Sequence, residues 1–291
     1  MNGDDRLALE GGGRAGARFV LAPLPRRASG AGGSRLGAKA GASLEFHDHR
    51  EYEPGDDLRF LDWGVYGRTD RLVVKRYREE VIPHLDLLLD GSRSMSLPGT
   101  AKREALLGLA ALLATAAANA GFTVAVFVLG PRGAARLPDG GGRPSRWEGL
   151  EPAEAGDPGA ALLAAPPALR PLGVRLLVSD LLWPGEPSAA LAILARAGAA
   201  AAVVELLGEA DLEPPARGAV ELVDAETGET RPLLLDDAAR ARYAGALRRH
   251  RDGWELAARQ IGGRLVPLVA ERVLPGFDVR ELVARELLRP A

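Results

Sequence analysis

The chain contains no cysteine. That excludes disulfides, thiol nucleophiles and sulfur-bound zinc. Histidine is nearly as scarce, four in 291 residues. His47 and His49 form a His-x-His pair, but no third ligand stands out, so no zinc site is expected there. Neither sign of charge dominates: 37 basic residues face 39 acidic ones, and the pI is near 6.2. There is no basic surplus to suggest a nucleic-acid partner. Long hydrophobic runs are also missing. The longest strongly apolar stretch, Leu106 to Ala118, is interrupted by Gly108 and Thr115 and is too short to span a bilayer. The first residues, Met-Asn-Gly-Asp-Asp, are acidic where a signal peptide would be basic. These absences predict a cytoplasmic protein with no membrane span. What is present is ample apolar material, 47% of the chain, enough for one large or two small domains.

Residues 1–17 are charged and glycine-rich and read as a disordered N-terminus. Residues 18–82 read as a β-rich subdomain, with strands at Arg18–Leu24 and Arg71–Glu79 and an extended loop over Arg26–Gly41. Residues 83–291 alternate strands with helices, the pattern of a mainly parallel α/β sheet flanked by helices. Strands are expected at Leu85–Leu89, Phe122–Leu129, Val174–Val178, Ala200–Leu206 and Arg264–Val269. Helices are expected at Lys102–Asn119, Ala160–Ala165, Pro187–Ala197, Asp236–Ile261 and Val279–Leu288. Gly130–Gly149 reads as irregular, and Asp224-Ala225-Glu226-Thr227-Gly228 as the turn of a hairpin.

One apolar strand ends in Asp90-Gly91-Ser92-Arg93-Ser94-Met95. Ligands of open α/β sheets bind where strands end at their carboxyl edge. A carboxylate and two hydroxyls offer only oxygen, which suits a hard cation. Turn formation alone also favours Asp, Gly and Ser after a strand. A haloacid-dehalogenase-type nucleophile would need a second carboxylate two residues on, where Ser92 stands. The pattern resembles the metal-ion-dependent adhesion site, Asp-x-Ser-x-Ser, of von Willebrand factor type A domains. That resemblance implies Mg²⁺, with Mn²⁺ as the alternative. Asp180, closing the strand Leu176-Leu177-Val178, is the matching second aspartate. The threonine of the site is missing, and Asp157 stands near its place, as a ligand or as a helix N-cap before Pro158.

A second cluster lies upstream: Arg50, Tyr52, Pro54, Gly55, Asp56, Asp57, Arg59, Asp62, Trp63 and Arg68. Three aspartates can pair with three arginines in bidentate geometry. The cluster reads as a buried network holding the subdomain, or as a partner-recognition surface. The run Arg-x-Tyr-x-Pro-Gly-Asp-Asp-x-Arg-x-x-Asp-Trp, followed by Asp-x-Ser-x-Ser, resembles the bacterial Domain of Unknown Function 58 family. The resemblance implies a von Willebrand factor A-like domain and a MoxR-type AAA+ ATPase partner, together with other von Willebrand factor A proteins. It implies no catalysis. The expected function is a non-catalytic protein–protein adaptor. The alternatives are a metal-dependent hydrolase using the same site, which lacks a positioned base, and a structural module that binds no metal.

Overall fold

A computed structural model of the chain describes residues 1–23, 44–79, 82–150, 155–214 and 217–291, with the backbone alone for 44–47 and 76–79. The chain divides into two units, Met1–Ala28 with Pro83–Ala291, and Ser29–Ile82. The loop expected over Arg26–Gly41 lies outside the described residues.

The N-terminal segment is not disordered. It forms a helix, α1 (Gly3–Gly16), and a short strand, β1 (Phe19–Leu21). Asn2 caps the helix: its side chain accepts the Asp5 N–H at 2.8 Å, and the Asp5 carboxylate accepts the Asn2 N–H at 2.7 Å. The glycines that read as disorder serve close approach instead. A Cβ at Gly12 would stand 2.0 Å from the Gly108 carbonyl oxygen, and one at Gly16 2.5 Å from that of Leu112. Only a helix face without side chains can lie this near another backbone.

In the smaller unit, β2 (Leu44–Glu51) pairs antiparallel with β3 (Val73–Glu79), and α2 (Trp63–Thr69) lies between them in sequence. Leu61 and Val74 are its buried apolar residues among those described.

The main unit continues with β4 (His84–Asp90), α3 (Lys102–Asn119), β5 (Thr123–Gly130) and β6 (Gly133–Arg136). Next come α4 (Pro158–Ala164), β7 (Val174–Ser179), α5 (Pro187–Ala195), β8 (Ala200–Leu207) and α6 (Glu209–Leu212). The hairpin β9 (Gly218–Val223) and β10 (Thr230–Leu235) precedes α7 (Asp237–Gln260). The chain closes with β11 (Arg264–Val269), α8 (Ala270–Val273), α9 (Arg280–Ala284) and β12 (Leu288–Pro290). Six strands form one sheet in the order β11-β8-β7-β4-β5-β6, parallel except for β6. Strand residues alternate between two apolar layers, as a pleat requires. Leu87, Leu89, Leu176, Val178 and Val204 pack with Leu106, Leu109 and Leu113 of α3. Leu88, Leu177 and Val203 face Leu191, Leu194 and Trp254 of α5 and α7. Among the described residues no helix is long and apolar enough to cross a membrane.

Two expectations fail locally. Gly130–Gly149 is not wholly irregular: Pro131-Arg132 turns the chain into the antiparallel edge strand β6. That pair lacks the Asn-Gly or Asp-Gly chemistry by which a short hairpin is recognised. The terminal helix expected over Val279–Leu288 stops at Ala284. Glu286 takes a left-handed φ of +54°, and Leu288–Pro290 pairs with β1 instead.

The strand order places the site. From β4 the chain goes to β5 on one side, then returns to β7, β8 and β11 on the other. The order reverses between β4 and β7, so a crevice opens beyond their carboxyl ends.

Candidate oxygen-donor site at the sheet edge

Asp90 is the last residue of β4 and Asp180 follows the last residue of β7. Both are buried, Asp90 completely. Each oxygen of Asp90 accepts two hydrogen bonds. Oδ1 takes the Ser92 N–H at 2.9 Å and the Ser92 hydroxyl at 2.6 Å. Oδ2 takes the Ser179 hydroxyl at 2.5 Å and the Trp183 indole N–H at 2.9 Å. Even so, burial and the nearby charge of Asp180 push the Asp90 carboxyl up to about 6. Leu181 helps to assemble this shell. Its φ of +59°, rare for a bulky residue, turns the chain just beyond Asp180, and its N–H donates to the Ser179 hydroxyl at 2.8 Å.

The Ser92 and Ser94 hydroxyl oxygens lie 3.0 Å apart. They line an open pocket of about 720 Å³ with Asp157, Asp180 and Trp183. Asp157 takes the N-cap role: Oδ1 accepts the N–H groups of Gly159 at 2.8 Å and Ala160 at 3.1 Å, with Pro158 at the first helical position. Asp180 is engaged by a residue that sequence reading passed over. Lys102 is 1% exposed, and its ammonium lies 2.9 Å from Asp180 Oδ2 and 2.8 Å from Asp211 Oδ2. Burial alone would lower the Lys102 pKa, but the two carboxylates outweigh it and the net shift is upward.

Hydroxyl and carboxylate oxygens fit a hard cation. Two cis ligands of an octahedral Mg²⁺ at 2.0–2.1 Å stand about 2.9 Å apart, which the Ser92–Ser94 spacing matches. The Ser92 proton points to Asp90, so Ser92 Oγ is the acceptor in its contact with the Ser94 hydroxyl and keeps one lone pair free. Among the described residues no three carboxylate or imidazole groups gather with metal-ligand geometry.

Ser179, Trp183 and Lys102 also belong to this site, as does Glu226, which lines the same pocket and accepts the Ser94 N–H at 2.9 Å. Ser179 sits beside Asp180 in sequence, a clue available to a reader who expects both residues at a strand end to work. Lys102 and Glu226 carried no such clue, because their partners are distant in the chain.

The upstream cluster is not enclosed in a core: Asp57, Arg59, Trp63 and Arg68 are exposed, and Arg50, Tyr52, Asp56 and Asp62 are half-buried. Arg50 pairs with Asp56 at 2.5 Å, and Arg59 with Asp57 at 2.6 Å. Asp62 turns to His49 at 2.9 Å and Lys75 at 3.4 Å instead of Arg68, and caps α2 through Gly64 and Val65. The Asp57 carboxyl is held down at about 2 by Arg59, and that of Asp62 at about 2 by its bond from His49. Arg59 is 84% exposed; Trp63, 63% exposed, meets Tyr66 edge to face. Tyr52 is half-buried and Arg68 exposed. The arginine–aspartate pairs are local, between residues two and six positions apart, whereas Asp62 reaches His49 and Lys75, each 13 positions away. A two-stranded hairpin with one short helix has too little apolar surface to enclose them.

The fold and site define a mixed α/β protein with an oxygen-lined pocket at the sheet's switch point. Residues 48–253 match the family described as "Protein of unknown function DUF58", and the chain belongs to it. It is 30% identical over 266 residues to uncharacterized proteins of Mycobacterium bovis and Mycobacterium tuberculosis, covering 87% of this chain and 83% of theirs. Among solved structures it is similar to an aerotolerance-related membrane protein from Bacteroides fragilis, at 15% identity and a TM-score of 0.43. It is also similar to the conserved hypothetical protein BatB from Bacteroides thetaiotaomicron, at 14% and 0.37. Each alignment covers 70% of this chain and 98% of the other.

Proposed function

We propose that this chain is a non-catalytic interaction module with a von Willebrand factor A-like main unit, working in the cytoplasm as an adaptor for a MoxR-type AAA+ ATPase and other von Willebrand factor A proteins. The observation that carries the reading is the Ser92–Ser94 hydroxyl pair, 3.0 Å apart at the switch-point pocket and backed by buried Asp90. The hydroxyls would hold Mg²⁺, or Mn²⁺. Asp90 orients Ser92 from behind, while Asp157 and Asp180 supply negative field around the pocket. A bound cation would attract an acidic group of a partner. The partner's identity rests on the resemblance of the Arg50–Trp63 and Asp90–Ser94 runs. A catalytic role has less support. The imidazole lining the pocket, His250, has Nε2 engaged by the Leu181 carbonyl at 2.7 Å, and no other imidazole lines the pocket.

The test is calorimetry with Mg²⁺ and Mn²⁺ on the wild type and on Ser94→Ala, whose half-buried hydroxyl contacts Ser92 and leaves all four hydrogen bonds to Asp90 in place. Binding at millimolar metal that weakens at least tenfold in the variant is expected, with retention by the ATPase reduced in parallel. Metal-dependent hydrolysis of phosphoesters or esters, lost in Ser94→Ala, would overturn the non-catalytic reading. No metal binding in the wild type would leave a structural module.

A further inference from the structure

The β9–β10 hairpin reaches back over the pocket. Its tip is stiffened locally: Asp224 Oδ1 accepts the N–H groups of Glu226 at 2.9 Å and Thr227 at 2.8 Å. The Glu226 side chain reaches outside the hairpin. Its Oε1 accepts the Ser94 N–H at 2.9 Å and its Oε2 accepts the Gly156 N–H at 2.9 Å. Ser94 ends the Asp-x-Ser-x-Ser run, and Gly156 precedes Asp157. One carboxylate from the hairpin thus joins the two loops that form the candidate site.

The two donors are fixed by the loops rather than by Glu226. Gly156 has a φ of +148°, and a Cβ there would stand 2.6 Å from the Pro131 side chain. Ser94 lies in a short 3-10 turn (Arg93–Ser96) whose Met95 is fully buried. Two N–H groups aimed at the two oxygens of one carboxylate make a forked, charge-assisted contact. That contact does not depend on which chain brings the acid. The hairpin that brings it here is largely exposed, with Leu222, Val223 and Leu234 at 47%, 61% and 65%, although Leu235 at its base is buried. A lone two-stranded hairpin has marginal stability in water.

We infer that the Ser94 and Gly156 N–H groups form a carboxylate-binding cradle for an acidic side chain of a protein partner, and that Glu226 fills this cradle in the resting molecule. The partner class rests on the interaction-module reading above. A partner must displace the hairpin carboxylate, which competes at the effective concentration of a tethered group, about millimolar or more. Glu226 therefore sets the threshold at which weak acidic segments are ignored.

The test follows the Ser94 and Gly156 amide resonances of the full-length, metal-free protein by NMR. The wild type, Glu226→Ala and Glu226→Gln are titrated with sodium acetate and with a capped Ala-Ala-Glu-Ala-Ala peptide. In Glu226→Ala both probes should shift the two amides, with midpoints at least tenfold lower than in the wild type. Glu226→Gln keeps a neutral acceptor of the same shape and should fall between. Unchanged exchange protection of β4 and β7 shows that the variants are folded. Equal midpoints in all three proteins, or no response in Glu226→Ala, would overturn the inference. So would response to acetate but not to the peptide, which would mark a site for small acids. A Mn²⁺ titration of the same samples separates the two ideas. Cradle binding without Mn²⁺ broadening keeps the cradle and removes the metal. Mn²⁺ broadening without cradle binding does the reverse.

Discussion

Asp5 and Asp90 are both fully buried carboxylates, and their surroundings push them in opposite directions. The Arg103 guanidinium, at 2.7 and 2.9 Å, holds Asp5 below the usual carboxylate range despite the cost of burial. Asp90 has no cation of its own, and burial together with Asp180 raises it to about 6. The signs follow by linkage. Asp5 adds stability that is present above the ordinary value of 3.8 and lost as pH falls through its lowered folded value. Asp90 does the reverse: its ionisation costs stability as pH rises from about 3.8 to about 6. Asp5→Asn should therefore destabilise the protein by about 2 kcal/mol at neutral pH, and the gap should close in strong acid. Denaturant melts at pH 7 and pH 3 check this; an equal gap at both would mean that Asp5 acts only through its cap. In the upstream cluster, exposed Arg59 pairs with Asp57 two residues away, so Arg59→Ala should leave the melting temperature and the exchange of α2 amides unchanged. Asp62→Ala removes the cap of α2 and should speed exchange across residues 63–69. Identical exchange in both variants would show that the cap is idle. The residue types of this cluster were legible in sequence. Its exposure was not, because opposite charges two to six residues apart look the same whether a core encloses them or water does.

At the scale of elements, α1 shows how composition misleads. Glycine-rich, charged sequence suggests disorder because it offers little to bury and each helical glycine costs about 1 kcal/mol relative to alanine. Here Gly12 and Gly16 face α3 at backbone contact, and Leu9 is buried beneath the helix. Packing along α3 outweighs the propensity. Gly12→Ala should force α1 off α3 and destabilise by about 1–3 kcal/mol. Gly13→Ala, whose Cβ would meet only Thr115 at 3.9 Å, should be neutral or stabilising by up to about 1 kcal/mol. Thermal melts of the pair decide it; equal effects would deny the close approach. Elements with their own periodicity and caps were legible. Lys102–Asn119 and Arg264–Val269 stand where the sequence puts them, and α7 begins after Asp236, which caps it through the Ala239 N–H. The short pieces were not: β6 and β12 exist because a neighbouring strand, β5 or β1, offers unpaired backbone groups.

At the scale of the molecule, Lys102 joins three parts of the chain, the start of α3, the loop after β7 and α6. Removing its charge would strand two carboxylates near a third. Lys102→Met should cost about 3–5 kcal/mol, seen as a melting temperature lower by about 6–20 °C. A change within about 2 °C would show that water or added cation replaces it.

The sequence by itself determined the parallel α/β class, most of the long elements and the presence of Asp90, Ser92, Ser94 and Asp180 at or near strand ends, with Asp157 just before a helix. Period, caps and apolar runs are local properties, and each can be read within a dozen residues. Only the tertiary structure decided that the strand order reverses between β4 and β7, that Lys102 lies between Asp180 and Asp211, and that Glu226 sits on Ser94 and Gly156. Those relations join residues 70 to 132 positions apart. They are set by which strands pair and which loops then face one crevice, and no local pattern in the chain encodes them.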